Sequence, residues 1–230
     1  MDSDGVVWIG TDNLGVSRLV ITQNEGAEYI MEGENIRTLS QIGNGKFAVA
    51  NKCGDMWVYD SCLQTVLLHE SSEHNVYCVA EIGNGHLWKG TKGGGLYIDS
   101  KHVDEVRQNE IYSIFAESDT CVWIGTFGEG FAVWEDGRIE HYTCVDSLVN
   151  DMVQCFVEDK EGFVWMSTAF GISRFNPVTK KIKNYFSRRI CSIMCSKRIA
   201  ARFLPTGALH LAAAMALSLS RLLCMMLMRK

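Results

Sequence analysis

Short runs of β-branched and aromatic residues alternate with glycine-containing turns along most of the chain. The run at residues 75–80 precedes Gly83-Asn84-Gly85, and another run begins directly after Gly93-Gly94. Runs of about four to six residues bounded by turn residues are typical of β-strands, and Asn-Gly or Asp-Gly pairs favour hairpins. No helical spacing of apolar residues persists through residues 1–186. The pattern therefore predicts an all-β structure for this part of the chain.

A pentapeptide recurs within these strands. Val-Trp-Ile-Gly-Thr at residues 7–11 returns at residues 122–126, with degenerate copies at 87–91 and 164–168. The tryptophan slot falls at positions 8, 48, 88, 123 and 165, where Ala48 takes the second slot, so the spacings are 40, 40, 35 and 42 residues. A period of about 40 residues fits a four-stranded propeller blade or a helical pair, and the strand pattern favours the blade. We predict a partial β-propeller of about five four-stranded blade repeats.

The residues of the recurring motif are interpreted as scaffold. A tryptophan present once per repeat fills the wedge between neighbouring sheets, and the following glycine permits a close approach and a turn. The motif residues are Trp8, Gly10, Thr11, Trp88, Gly90, Thr91, Trp123, Gly125, Thr126, Trp165 and Thr168. Trp57 and Trp134 lie outside the tryptophan slot. They are the candidates for ligand-binding aromatic residues, with packing as the alternative role.

The last repeat resembles a known family. Residues 153–168 read Val-Gln-Cys-Phe-Val-Glu-Asp-Lys-Glu-Gly-Phe-Val-Trp-Met-Ser-Thr, and Gly-Ile-Ser-Arg-Phe-Asn-Pro follows at residues 171–177. This run is similar to the two-component regulator propeller repeat. The resemblance extends over residues 1–186, with departures: Ala48 replaces the tryptophan in the second repeat, Lys89 stands where isoleucine is usual in the third, and the glycine turn is shorter in the second and fifth.

The resemblance implies a function. Members of this family form the sensory β-propeller of membrane-bound regulators, commonly hybrid histidine kinases that detect glycan fragments on the periplasmic side of the inner membrane. By resemblance, the chain is a non-enzymatic ligand-sensing fragment; the intact sensor binds an oligosaccharide, and any kinase activity belongs to other domains. A fragment of a propeller-based polysaccharide lyase or hydrolase and a protein-interaction scaffold are the alternatives. Open sheet edges in an incomplete ring also predict self-association.

The candidate chemistry supports a non-enzymatic interpretation. Asp4, Asp119 and Asp159 occupy turn positions shared by several repeats, so turn formation is their expected role, and no catalytic residue is identified. The nine cysteines and six histidines show no metal-ligand spacing, so we expect no metal and no cofactor. A formal net charge of −5 argues against a nucleic-acid partner.

The segment 187–230 differs in composition and is assigned as an atypical apolar tail, separate from the propeller repeats of 1–186. Residues 204–228 are long enough to cross a membrane, although Arg221 within them is unfavourable there. We favour a frameshift near residues 186–189. When suitable codons are assigned to the tail and read in another frame, they encode strand motifs similar to those of the family. A membrane anchor and a native helix are the alternatives. Membrane contact is expected only if the tail is genuine. No signal peptide is recognised, so the periplasmic expectation rests on resemblance.

Overall fold

The computed structural model describes residues 6–10, 16–20, 28–62, 64–83, 85–106, 109–185, 199–203 and 209–213, with side chains between residues 30 and 185. These residues form antiparallel strands and two short 3₁₀ turns, Gly43–Gly45 and Cys144–Asp146. The chain divides into two compact units, Met1–Asp104 and Glu105–Lys230.

The first unit contains three sheets among its described residues. Its strands are β1 (Val6–Gly10), β2 (Val16–Val20), β3 (Glu28–Ile30), β4 (Ile36–Gln41), β5 (Phe47–Asn51), β6 (Asp55–Tyr59), β7 (Val66–Ser71), β8 (Asn75–Ile82), β9 (His86–Lys92), β10 (Leu96–Ile98) and β11 (Lys101–His102). Strands β1–β3 form sheet A, β4–β7 form sheet B and β8–β11 form sheet C. Within each sheet, strands consecutive in the chain are neighbours.

The second unit contains two four-stranded sheets and a hairpin among its described residues. Its strands are β12 (Ile111–Ala116), β13 (Cys121–Thr126), β14 (Phe131–Glu135), β15 (Arg138–Tyr142), β16 (Val153–Glu158), β17 (Val164–Thr168), β18 (Gly171–Asn176), β19 (Lys181–Tyr185), β20 (Ile199–Phe203) and β21 (Leu209–Ala213). Strands β12–β15 form sheet D and β16–β19 form sheet E, whereas β20 and β21 pair with each other. The prediction of four short strands per repeat is confirmed for sheets B, C, D and E.

Sheet A differs from the other sheets in its strand content. It has three strands, and Trp8 lies on its first strand, β1. In sheets C, D and E the motif tryptophan lies on the second strand. The described part of sheet A therefore corresponds to the last three strands of a complete repeat.

Each four-stranded sheet has a β-bulge at the same point of its first strand. The register against the second strand shifts at Arg37 in sheet B, Tyr77 in sheet C, Tyr112 in sheet D and Gln154 in sheet E. In every case the bulge lies opposite the residues two and three positions after the tryptophan slot. A bulge redirects one side chain and increases the local twist. The repeats therefore share their irregular residue as well as their regular strands.

The C-terminal hairpin lies within the segment that composition sets apart. Strands β20 and β21 pair in antiparallel register, and β21 occupies part of the apolar stretch at 204–228. No helix among the described residues has the length and apolar character needed to span a membrane. The proposed frameshift boundary near 186–189 lies outside the described residues.

Candidate functional site

The motif tryptophans of the second unit are oriented by a carboxylate six residues earlier in the chain. Trp123 Nε1 donates a hydrogen bond to Glu117 at 2.7 Å, and Trp165 Nε1 donates one to Asp159 at 2.7 Å. The other carboxylate oxygen of Asp159 accepts two main-chain N–H groups of its own turn, at 2.9 and 3.0 Å. The sequence assigned Asp159 to turn formation; the structure adds that this side chain also fixes the indole.

The motif threonine and glycine have packing roles. The threonine hydroxyl donates to a glycine carbonyl in the following turn in three copies: Thr91 to Gly95 (2.8 Å), Thr126 to Gly130 (2.9 Å) and Thr168 to Gly171 (3.0 Å). A Cβ added to Gly125 would lie 2.4 Å from Ser113 Oγ and 2.8 Å from the Val153 carbonyl oxygen. Only glycine fits at such a close approach. Gly10 lies on β1 and Gly90 on β9, whereas Thr11 lies outside the described residues.

The two tryptophans predicted as ligand-binding candidates lie on the third strands of their sheets. Trp57 on β6 is half-buried, and its ring stacks on His69 with 5.0 Å between ring centroids and 6° between ring planes. It also packs against a buried apolar cluster of sheet B. Trp134 on β14 is half-buried, with aliphatic partners on both neighbouring strands. Trp57 is not among the residues that line a cavity of about 380 Å³ in the described part of the first unit.

The first-strand bulges present unlike side chains at one position of the repeat. In the first unit, the guanidinium carbon of Arg37 lies 4.1 Å from the centroid of the Tyr77 ring, which is cation–π geometry. In the second unit, the bulged residues are Tyr112 and Gln154. Arg37 Nε and Gln154 Oε1 are buried and lack a hydrogen-bond partner among the described residues. Sequence reasoning missed this position, because an alignment on the tryptophan does not reveal a bulge in the preceding strand.

Sheets D and E pack against each other through a buried cluster of aromatic side chains around Trp123, which we call the aromatic wedge. Trp123 is fully buried, and its ring centroid lies 5.3–6.1 Å from those of Phe131, Phe156 and Phe175. Met166 from β17 belongs to the same buried cluster. Aromatic rings at these separations add stabilisation to the burial of their apolar surface. This wedge is closed and apolar.

The corresponding wedge between sheets B and C has different side chains. Ala48 occupies the tryptophan slot of sheet B. Strand pairing places Glu70 in the register position that Tyr142 holds in sheet D. Lys89 directly follows the tryptophan slot of sheet C, as Met166 does in sheet E. A large ring, a second ring and a methionine are thus replaced by a methyl group and two charged side chains.

Lys89 and Glu70 form an ion pair between the two sheets. The side chains are 11% and 32% exposed, respectively. Lys89 Nζ also donates to Ser100 Oγ at 3.3 Å, and Ser100 Oγ donates to the second oxygen of Glu70 at 3.2 Å. The three side chains form a closed polar network.

A cavity of about 380 Å³ opens around this network. Its lining also includes the hydroxyl-bearing Ser71 and Ser72 and the aromatic side chain of Tyr97. We call this cavity the polar cleft. From the sequence, Lys89 and Ala48 are recognised only as departures from the repeat. The cleft depends on side chains of two different repeats, which only the folded structure brings together.

A second ion pair joins the same two sheets outside the polar cleft. Lys46 Nζ lies 2.9 Å from a carboxylate oxygen of Glu81, whose side chain is 8% exposed. A Cβ added to Gly43 would lie 2.7 Å from the other oxygen of Glu81, so glycine leaves the space that the carboxylate occupies. The contact between sheets B and C thus combines an apolar cluster with two ion pairs.

The repeated four-stranded sheets define a protein of the β-propeller class. Residues 147–170 match the family model described as Two component regulator propeller. The match covers the turn and motif strand that contain Asp159 and Trp165. The resemblance to the two-component regulator propeller family is confirmed for this segment, and residues 147–170 carry the repeat of this family.

Solved structures show the same fold. The chain matches the extracellular domain of BT3049 from B. thetaiotaomicron, described as a hybrid two component system, with a TM-score of 0.76 and 22% identity over 93% of this chain and 32% of that chain. It matches the extracellular domain of BT4673 from the same organism, described as a one component system, with a TM-score of 0.66 and 15% identity over 92% of this chain and 38% of that chain. The WD40 β-propeller domain of Doa1 matches with a TM-score of 0.67 and 10% identity over 93% of this chain and 74% of that chain.

These comparisons confirm the predicted all-β propeller fold. The chain spans roughly a third of the length of the two B. thetaiotaomicron domains. No curated protein matches the chain.

Proposed function

We propose that the chain is a non-enzymatic ligand-sensing module, a fragment of the sensory propeller of a two-component regulator. In the intact protein, a hybrid histidine kinase, this propeller lies on the periplasmic side of the inner membrane and detects a glycan-derived ligand. The observation that carries the proposal is the family match at residues 147–170, in a repeat whose Asp159–Trp165 hydrogen bond and glycine turn are complete. Two structural matches are extracellular domains of proteins described as a hybrid two component system and a one component system.

The side chains at the bulges support a binding role. A constant scaffold holds Arg37, Tyr77, Tyr112 and Gln154 at one position of four repeats. Variable side chains at a fixed position of a repeat are a usual way in which a repeat acquires a binding role. Arginine, tyrosine and glutamine supply hydrogen bonds and stacking surfaces for hydroxylated ligands.

Binding of the purified chain to a set of neutral and acidic oligosaccharides tests this proposal. We expect saturable binding by isothermal titration calorimetry, which heat-unfolded chain does not reproduce. Mass spectrometry of the recovered oligosaccharide should give an unchanged mass. Shortened or unsaturated products would favour the lyase or hydrolase alternative, and absence of binding across the set would contradict sensing by this chain.

A further inference from the structure

We propose that the polar cleft between sheets B and C is a binding site for a neutral saccharide unit. This inference rests on the proposed sensing function and adds the place and the chemical class of the ligand. Its observations are the Lys89–Glu70 ion pair, the cavity of about 380 Å³ around the pair and the aromatic wedge at the corresponding place in the second unit.

The repeat itself does not require a cavity at this place. In sheets D and E, the same register positions carry Trp123, Tyr142 and Met166, and the wedge between the sheets is closed by aromatic packing. In sheets B and C, these positions carry Ala48, Glu70 and Lys89. Glu70 and Lys89 line a cavity at a place that the same fold closes elsewhere, whereas Ala48 is buried in the apolar cluster between sheets B and C.

The ion pair is not explained by a gain in stability. Lys89 has only 11% of its side chain exposed, so its ammonium group has lost most of its hydration. Removing two charges from water offsets most of their attraction, and apolar side chains of similar volume are often as stabilising or more so. The wedge between sheets D and E shows that the fold accepts apolar residues at both positions. A charged pair that lines a cavity of this size therefore favours a binding role over a stabilising one.

The lining specifies the chemistry of the ligand. Lys89 supplies donors, Glu70 supplies acceptors, and serine hydroxyls supply both. A sugar hydroxyl also donates and accepts, so adjacent sugar hydroxyls can bond to the ammonium and carboxylate groups together. The aromatic side chain of Tyr97 provides an apolar surface for the C–H groups of a sugar ring. The volume lies within the range of roughly 300–1,000 Å³ that is usual for small-molecule sites.

Charge selects a neutral ligand over an acidic one. The charges of Lys89 and Glu70 cancel within the ion pair. Ser71, which lines the polar cleft, donates to Asp55 at 2.6 Å, so a second carboxylate lies directly behind the lining. No excess positive charge is therefore available for a uronate or a sulfated sugar.

The test exchanges the residues of the polar cleft for those of the aromatic wedge. The variant Lys89→Met/Glu70→Tyr places the side chains of Met166 and Tyr142 at the corresponding positions of the first unit. Lys46→Met/Glu81→Leu is the matched control, since it removes the other ion pair between the same two sheets. Titration calorimetry of the full chain with a neutral oligosaccharide set and a uronate oligosaccharide set gives the affinities, and circular dichroism reports folding.

We expect the full chain to bind a neutral oligosaccharide more tightly than a uronate one. The cleft variant should bind at least about tenfold more weakly, because it loses hydrogen bonds to charged groups, while the control variant retains its affinity. Saccharide binding that is equal in the folded cleft variant and the unmodified chain would overturn the site and leave the sensing function standing. Preference for uronate would overturn the neutral class, and no saccharide binding at all would overturn both the site and the sensing function.

If the cleft variant does not fold, the milder variant Tyr97→Ala tests whether the polar cleft binds saccharide. Tyr97 is half-buried on β10 and takes no part in the ion pair. We expect folded Tyr97→Ala to bind neutral saccharide several-fold more weakly, and unchanged affinity would contradict the assignment.

Arg37→Ala removes the side chain stacked on Tyr77 at the bulge, which is the competing location for the saccharide site. Loss of binding in this variant alone would move the site to the bulge and overturn the proposal.

Discussion

The wedges of the two units solve the same packing problem in different ways. Between sheets D and E, Trp123 and three phenylalanine rings fill the space at the expected slot. Between sheets B and C, Ala48 occupies that slot, and an ion pair lies where the other wedge has a tyrosine and a methionine. One repeat architecture therefore tolerates both an apolar core and a cavity lined by charged and hydroxyl-bearing side chains.

The difference separates residues that maintain the fold from residues that are free to acquire a function. Bulges and threonine–glycine hydrogen bonds are present in both units. Side chains facing the wedges differ in both size and charge. Variants of the wedge residues should consequently affect stability strongly in the second unit and ligand binding strongly in the first.

The largest stability effect is expected for Trp123→Ala. Trp123 is fully buried against three rings, so its truncation leaves a cavity and should lower the free energy of unfolding by about 3–5 kcal/mol. Urea denaturation followed by circular dichroism measures the loss, with Trp123→Phe as a milder variant. The half-buried Trp57 is the comparison residue, and Trp57→Ala should cost less. Equal losses for the two tryptophans would contradict the wedge comparison.

Asp159→Ala should have the next largest effect. The substitution removes the acceptor for Trp165 Nε1 and for two main-chain N–H groups of the turn, so we expect a loss of about 1–3 kcal/mol in unfolding free energy. Glu161→Ala changes an exposed residue of the same turn and should stay within about 0.5 kcal/mol of the unmodified chain. Urea denaturation of both variants gives the values. A tolerated Asp159→Ala would show that the carboxylate does not hold the turn.

Glu70→Ala should destabilise the first unit by about 1–2 kcal/mol. The variant leaves the Lys89 ammonium largely buried without its carboxylate, although the exposure of Glu70 allows solvent to reduce the loss. Differential scanning calorimetry compares its melting temperature with that of Lys89→Met/Glu70→Tyr, in which both charges are absent. The single variant should melt at the lower temperature. The opposite order would show that an unpaired Lys89 ammonium is tolerated better than the two replacing side chains, which contradicts the expected cost of leaving this charge without a partner.

The smallest effect concerns Glu158 and depends on pH. Partial desolvation, followed by repulsion from Glu117 and Asp159, raises the pKa of Glu158 above 4.5. A raised folded-state pKa contributes stability below the unfolded-state pKa, and this contribution is lost as pH rises through the folded-state pKa. Glu158→Gln should therefore raise the unfolding free energy at pH 7 relative to pH 4. The gain should be a few tenths of a kcal/mol, because the residue is exposed and solvent screens the repulsion.

Glu140→Gln is the control of opposite sign. The Tyr142 hydroxyl and Lys180 lower the pKa of Glu140, so its contribution is present at pH 7 and is lost as pH falls through the lowered pKa. Urea denaturation at pH 4 and pH 7 compares the two variants. A gain at pH 7 in both variants would contradict the assigned electrostatics.

Much of the fold was predictable from local sequence. Turn residues, short β-branched runs and the recurring Trp-Ile-Gly-Thr motif give four strands per repeat because strand length and hairpin formation are local properties. The carboxylate bond to the indole is less visible, since Glu117 and Asp159 also fit a role in turn formation. Nothing in the residue types around Arg37 and Gln154 distinguishes a bulged strand from a regular one, so the bulges could not be predicted from the sequence.

The polar cleft could not be predicted from one repeat. Glu70 and Lys89 belong to different repeats, and their contact arises only when two sheets pack together. The sequence did contain a signal, because Lys89 stands in a slot that is usually apolar and Ala48 stands in a slot that usually carries tryptophan. A charged residue at a core position next to a missing large residue is therefore a pattern to search for in other repeat proteins.

The most direct test measures stability and saccharide affinity together on Lys89→Met/Glu70→Tyr. We expect the melting temperature to be maintained or raised, because apolar residues replace a desolvated ion pair, while affinity for neutral saccharide falls by about tenfold or more. A variant that melts at a lower temperature and binds saccharide as tightly as the unmodified chain would show instead that the ion pair stabilises the fold and takes no part in binding.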